Sequence, residues 1–140
     1  MVNTKNLKLL KDHIWNNVTD QGFDMEYYRR DLEGPVGFYS PHNCGTIGCA
    51  LGHAPLCEEL EPIEDDFQGS KDLDWDVYCL RVFNISEYSK YSKDWGFLFN
   101  GTWCAHDNTR KGFCDRAQYI IDNGYAPPKW SFEWRKNDEK

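Results

Sequence analysis

Apolar residues recur at helical spacing near the beginning of the chain. They fall every third or fourth position on one face of a helix, at Leu7, Leu10, Ile14 and Val18. Asn3 or Thr4 can cap the start of this helix, because a short polar side chain accepts a hydrogen bond from a free backbone N–H group. The pattern therefore predicts a first helix that ends before Gly22.

A second clear helical pattern lies in the last third of the chain. Asn108 or Thr109 precedes it as a capping residue, and Gly124 follows it at a position where the left-handed conformation favours glycine. Pro127-Pro128 prevents the helix from continuing. The apolar face of this last helix is predicted to contain Phe113, Ala117, Ile120 and Ile121.

Proline and glycine punctuate the first half of the chain between these elements. We predict an irregular stretch over residues 23–43. A short helix is predicted to begin near Gly45 and to stop near Gly52 or His53, before Pro55.

Residues 73–85 fit either a strand or a helix, and we favour a helix because the flanking elements are helical. Another helix is predicted to begin at Ser86 and to end at Asn100-Gly101. Its apolar stripe would contain Tyr88, Tyr91, Trp95 and Leu98.

Together these elements predict a mainly α fold. The chain has 140 residues, which is the length of one domain, and 16 % of them are aromatic, which provides ample material for a core. We expect a single compact domain of about five helices over residues 1–134, with an aromatic-rich core. The charged tail, residues 135–140, is predicted to be disordered.

The charge of the chain is concentrated in one acidic segment. The net charge is -7, and residues 58–76 hold nine acidic residues against the single base Lys71. Phosphates need cationic contacts, so we expect no nucleic-acid partner. A partner protein with a basic surface could instead bind the segment, and Glu64, Asp65 and Asp66 are the predicted contact residues. Pro62 and Gly69 predict that residues 58–74 form a loop, and the alternative to partner binding is that this loop is only solvated.

Residues 1–20 contain no apolar run long enough for a signal peptide or a membrane span. We therefore expect a cytoplasmic protein with reduced cysteines and no membrane partner. The sequence leaves the oligomeric state open.

Cysteine and histidine are concentrated between residues 44 and 57. Zinc is bound by thiolate and imidazole groups, and four such ligands occur here, at Cys44, Cys49, His53 and Cys57. The usual zinc-binding pair, two cysteines with two residues between them, does not occur here. We expect no cofactor, with the cysteines packed as small apolar residues. A zinc-stabilised interaction module is the alternative.

The same motif offers a nucleophile. Cys44 would precede the predicted short helix, whose positive end lowers the pKa of a thiol. His106 could act as a base, with Asp107 beside it. The residues Cys44 to Gly48 resemble the active-site motif of ubiquitin C-terminal hydrolases over a short stretch. A cysteine hydrolase is therefore an alternative function, although such local signatures do not transfer between families.

The start of the predicted short helix could also bind a small anionic ligand, because free N–H groups at a helix start attract anions. The surrounding residues would be Tyr39, His42, Asn43, Cys44 and Thr46. In the purely structural alternative, Cys44 and Thr46 cap the helix and Cys49 packs in the core.

Two motifs together resemble a group of small proteins of tailed phages and their bacterial hosts. The first runs from Cys44 to Pro55. The second comprises Trp95 to Trp103, Asp107-Asn108-Thr109 and Arg116 to Gly124. The resemblance implies a non-catalytic phage accessory protein that binds a host protein or a small host signal and modulates a host process. Interference with host defence is one such process.

Overall fold

The computed structural model describes most of the chain and is mainly helical. It covers residues 2–23, 25, 30–31, 46–47, 50–70, 73–86 and 92–134. Within these ranges the chain forms five α-helices and one pair of two-residue strands, which confirms the predicted fold class. None of the helices in the described ranges is long and apolar enough to cross a membrane. The predicted tail, residues 135–140, lies outside the described part.

Helix α1, Thr4–Asn17, forms where the sequence predicts it. Asn3 is the N-cap, and its side-chain oxygen accepts a hydrogen bond of 3.0 Å from the backbone N–H of Asn6. The predicted apolar face is confirmed, because Leu7, Leu10 and Ile14 are completely buried.

Helix α5, Arg110–Asn123, is the last helix and packs beside α1. Thr109 is its N-cap and accepts a hydrogen bond of 2.9 Å from the backbone N–H of Gly112. Gly124 ends the helix at φ +90°, a conformation that glycine adopts without strain. Lys11 Nζ of α1 donates to Gln118 Oε1 of α5 at 2.8 Å, which ties the two helices together.

The ambiguous stretch 73–85 contains a helix, α3, at Trp75–Phe83, so the helical prediction is confirmed. Asp74 caps it by accepting hydrogen bonds from the backbone N–H groups of Asp76 and Val77. The next helix, α4, spans Ser92–Phe99 and stops at Asn100, as predicted. Ser86, where this helix was predicted to begin, is described and is not helical. Residues 87–91, with Tyr88 and Tyr91 of the predicted stripe, lie outside the described residues.

The prediction for the short helix before Pro55 was wrong about its start. Thr46–Ile47 form a strand, β2, that pairs in antiparallel register with β1, Arg30–Asp31. Thr46 and Ile47 are β-branched, which favours a strand over a helix start. Helix α2 covers only Ala50–His53, and a 3-10 turn at Ala54–Leu56 follows it.

Aromatic rings fill the core, as the composition predicts. The Phe99 ring lies 5.7 Å from that of Phe83 on α3 and 6.2 Å from that of Phe113 on α5. A second group surrounds Phe97 of α4, whose ring contacts those of Trp103, Tyr119, Trp130 and Trp134. The core therefore joins α3, α4, α5 and the segment that follows α5.

Candidate functional site

The acidic residues after Cys57 form a folded surface, which we call the acidic platform (residues 58–67). The sequence predicts a loop here, whereas the structure contains two short 3-10 helices, Glu58–Leu60 and Glu64–Phe67. The difference arises from Asp66, whose side chain points into the protein and is completely buried. The expectation that Asp66 is solvated is therefore wrong.

Arg81 of α3 is the partner of the buried Asp66 carboxylate. Its Nε lies 2.8 Å from Oδ1 of Asp66, and its Nη2 lies 2.8 Å from Oδ2. This two-pronged geometry is the strongest form of an arginine–carboxylate pair. The hydrogen bonds to Asp66 raise the pKa of the Arg81 guanidinium. The backbone N–H of Ile63 also donates to Asp66 Oδ2 at 2.8 Å, so the carboxylate is well satisfied.

Further hydrogen bonds fix the backbone of the platform to α3 and its cap. The Tyr78 hydroxyl donates to the carbonyl oxygen of Leu60 at 2.6 Å. The backbone N–H of Asp74 donates to the carbonyl oxygen of Asp66 at 2.9 Å. Burial raises the pKa of the Tyr78 hydroxyl, which therefore stays protonated and able to donate. The platform is thus held by the elements on which it rests.

The remaining carboxylates of the platform face solvent. They are those of Glu58, Glu59, Glu61, Glu64 and Asp65. Two of the three predicted partner-binding residues, Glu64 and Asp65, are therefore exposed, while the third is the internal anchor. Next to them lies a cavity of about 510 Å³, lined by Glu64, Asp65, Phe67, Gln68, Gly69 and Ser70. The arrangement presents negative charge around a partly apolar depression.

The helix that was predicted to begin at the ligand site around Cys44 begins later in the chain. Thr46 lies in a strand, and α2 begins four positions later at Ala50, so the N–H groups of a helix do not flank Thr46. The other predicted ligand residues, Tyr39, His42, Asn43 and Cys44, lie outside the described residues.

Two of the four predicted zinc ligands are described, and both are buried with protein partners. The ring Nε2 of His53 is hydrogen-bonded to the carbonyl oxygen of Gly22. The Cys57 thiol donates to Glu59 Oε2 at 3.2 Å, and burial raises its pKa to about 11, which keeps it a thiol at neutral pH. The described ranges contain no group of three or more residues placed to hold a metal. Cys44 and Cys49 lie outside these ranges, so the zinc alternative stays a prediction.

The predicted catalytic partners His106 and Asp107 face different neighbours. The His106 ring stacks on that of Phe132 at 5.2 Å, and its Nδ1 lies 3.9 Å from Glu133 Oε1. Asp107 Oδ1 accepts a hydrogen bond of 2.6 Å from the Thr109 hydroxyl. Since Cys44 lies outside the described residues, the convergence of the three groups stays a prediction.

Arg116 is an unusual residue that the sequence patterns did not mark as part of a site. It is 1 % exposed, and its guanidinium lies 3.9 Å from the centre of the Trp103 ring. Asp107 Oδ2 is 3.6 Å from Nη1, and none of the three side-chain nitrogens has a hydrogen-bond partner in the described part of the chain. Burial lowers the pKa of Arg116 to about 10, and Asp107 acts in the opposite direction.

One signal in the sequence could have identified Arg116. It lies three positions after Phe113 and four before Ile120, which places an arginine within the apolar face of α5. An arginine on such a face must bury its guanidinium or reach past the core to solvent.

Comparison with protein-family models, curated proteins and solved structures finds no match for this chain. The functional interpretation therefore depends on the geometry of the described residues.

Proposed function

We propose that this protein is a non-catalytic binding protein that recognises a basic surface on another protein through its acidic platform. One observation carries the proposal. The exposed carboxylates of Glu64 and Asp65 immediately precede Asp66, whose buried side chain anchors the platform to α3.

The anchoring matters because it fixes the positions of the exposed charges before a partner arrives. A flexible acidic loop loses conformational freedom on binding, whereas an ordered platform has already lost it during folding. A cluster of carboxylates also attracts a basic surface at long range, which accelerates association at low salt. Carboxylates held on a folded backbone beside a depression therefore favour binding of a protein partner over a segment that interacts only with water.

The contacts of Asp107 favour the non-catalytic function over a cysteine hydrolase. In such an enzyme a carboxylate orients the catalytic histidine. Here the Asp107 carboxylate is engaged by the Thr109 hydroxyl and lies next to the Arg116 guanidinium. From the resemblance to phage proteins we further propose that the partner is a host protein and that binding modulates a host process. Host defence is one such process.

The experiment is a pull-down from bacterial lysate with the full chain as bait, at low and high salt. The test variant is Glu64→Lys with Asp65→Lys. The control variant is Asp12→Lys with Asp122→Lys, which changes the net charge equally at two carboxylates outside the platform. We expect the test variant, and not the control, to lose partners that wild type retains, and we expect high salt to weaken retention. Equal recovery by all three proteins at both salt concentrations would refute the proposal.

A further inference from the structure

We infer that Arg81 is a positioning residue of the acidic platform: it holds the partner-binding carboxylates in place without contacting the partner itself. This inference rests on the proposed function and names the residue on which the geometry of the binding surface depends.

The guanidinium of Arg81 joins two separate points of the platform. It binds both carboxylate oxygens of Asp66, and its Nη2 also donates to the carbonyl oxygen of Glu61 at 3.3 Å. Residues 61 and 66 lie on either side of Glu64 and Asp65. Arg81 therefore spans the stretch of backbone that carries the two exposed carboxylates.

Tyr78 supports the guanidinium from the same helix. Its ring centre lies 5.9 Å from Cζ of Arg81, and its hydroxyl holds the carbonyl oxygen of Leu60. The Arg81 side chain is 36 % exposed while that of Asp66 is 0 % exposed, so one member of the pair reaches solvent and the other is enclosed. Removal of the guanidinium would leave a buried carboxylate with the Ile63 N–H as its remaining donor among the described contacts.

The two roles that Arg81 could have make opposite kinetic predictions. Arg81 is a cation within a negative field, so its removal makes the surface more negative. If charge alone governed binding, Arg81→Gln would accelerate association with a basic probe and leave dissociation unchanged or slower. If Arg81 positions the carboxylates, they must become ordered during binding, and the complex dissociates faster.

The first measurement is amide hydrogen exchange on the full chain, because it requires no partner. In Arg81→Gln we expect exchange over residues 58–67 to be at least about tenfold faster than in wild type, with α1 and α5 unchanged. Arg81→Lys keeps the charge but loses the fork, so we expect similarly fast exchange. The control is Lys111→Gln, which removes the same charge from an exposed pair with Asp115 on α5 and should leave exchange over residues 58–67 unchanged. Unchanged exchange over residues 58–67 in Arg81→Gln would overturn the inference.

The second measurement is surface plasmon resonance with a ten-residue lysine peptide as the basic probe. For Arg81→Gln we expect association at least as fast as wild type and dissociation several-fold faster. For Glu64→Lys with Asp65→Lys we expect slower association. Unchanged or slower dissociation of Arg81→Gln, which is the result that charge alone predicts, would contradict the positioning role. If wild type does not bind the peptide, the proposed function fails, while hydrogen exchange still decides whether Arg81 holds the platform.

Discussion

Replacing Arg116 with methionine is expected to change the stability of the protein little, although it removes a completely buried charge. Within the described part of the chain, the guanidinium has no hydrogen-bond partner, and one carboxylate, that of Asp107, lies within ion-pair distance, at 3.6 Å. Replacing a buried ion pair with well-packed apolar side chains is often neutral or stabilising, by about 1–4 kcal/mol, and Asp107, which the substitution leaves in place, is 38 % exposed and can be solvated. The lost contact with the Trp103 ring opposes this by about 2 kcal/mol when desolvated. The expected net change therefore lies between about 1 kcal/mol of destabilisation and about 2 kcal/mol of stabilisation.

The Asp107→Ala variant should clearly lower the free energy of unfolding. It leaves the Arg116 guanidinium buried without the carboxylate, which typically destabilises a protein by about 3–5 kcal/mol. We expect the lower end of that range, because the Asp107 side chain is 38 % exposed. At about 3 °C per kcal/mol for a chain of this length, the melting temperature should fall by about 9 °C.

Urea unfolding followed by circular dichroism measures both free energies of unfolding. Lys111→Met is the control for the loss of a cation from α5, and it should change stability by less than about 1 kcal/mol because its ion pair with Asp115 lies at the surface. If Arg116→Met destabilises the protein as strongly as Asp107→Ala does, Arg116 has favourable interactions beyond those described, and our reasoning is wrong.

Three further predictions concern the backbone, the thiols and metal. Gly112→Ala should lower the urea midpoint of unfolding, because the added Cβ would overlap the Asp107 carboxylate. Alanine is the better helix former, so a raised midpoint would show that propensity outweighs this overlap and would contradict the prediction. Burial raises the pKa of Cys57 and of Cys114 to about 11, so the folded state retains protons that the unfolded state loses, and stability should fall between about pH 9 and 11. This fall should be smaller in Cys57→Ala with Cys114→Ala, and an identical pH profile would refute the assignment. Excess chelator should leave the helical circular dichroism unchanged, whereas stoichiometric zinc found by elemental analysis would support the metal site over residues 44–57.

The elements that the sequence predicts well are those whose signals are local. Helices α1 and α5 combine a capping residue with apolar residues at helical spacing, and Asn3 and Thr109 act as caps in the structure. Helix α2 was predicted to begin too early, because the prediction gave no weight to the β-branched Thr46 and Ile47, which favour a strand. The pairing of Thr46–Ile47 with Arg30–Asp31 joins parts of the chain that local patterns do not relate.

The site was predicted only in part for the same reason. A run of acidic residues identifies a negative surface, but it does not reveal which carboxylate points inward. The Asp66 carboxylate points inward because it pairs with Arg81, which lies 15 positions later in the sequence. Arg116 likewise depends on Trp103 and Asp107, whose positions follow from tertiary packing and not from spacing.

The pairing of α1 with α5 has a consequence for how the chain folds. The hydrogen bond from Lys11 to Gln118 joins residues 107 positions apart, and that from Arg110 Nη1 to the carbonyl oxygen of Val18 joins residues 92 apart. Contacts so distant in sequence require closure of a long loop, which slows folding. During synthesis, the apolar face of α1 must therefore wait for about 90 later residues before α5 can cover it. Helices α2 and α3 are synthesised earlier and also contact α1, so we expect the nascent chain to leave exposed, until α5 emerges, only the part of α1 that α5 covers.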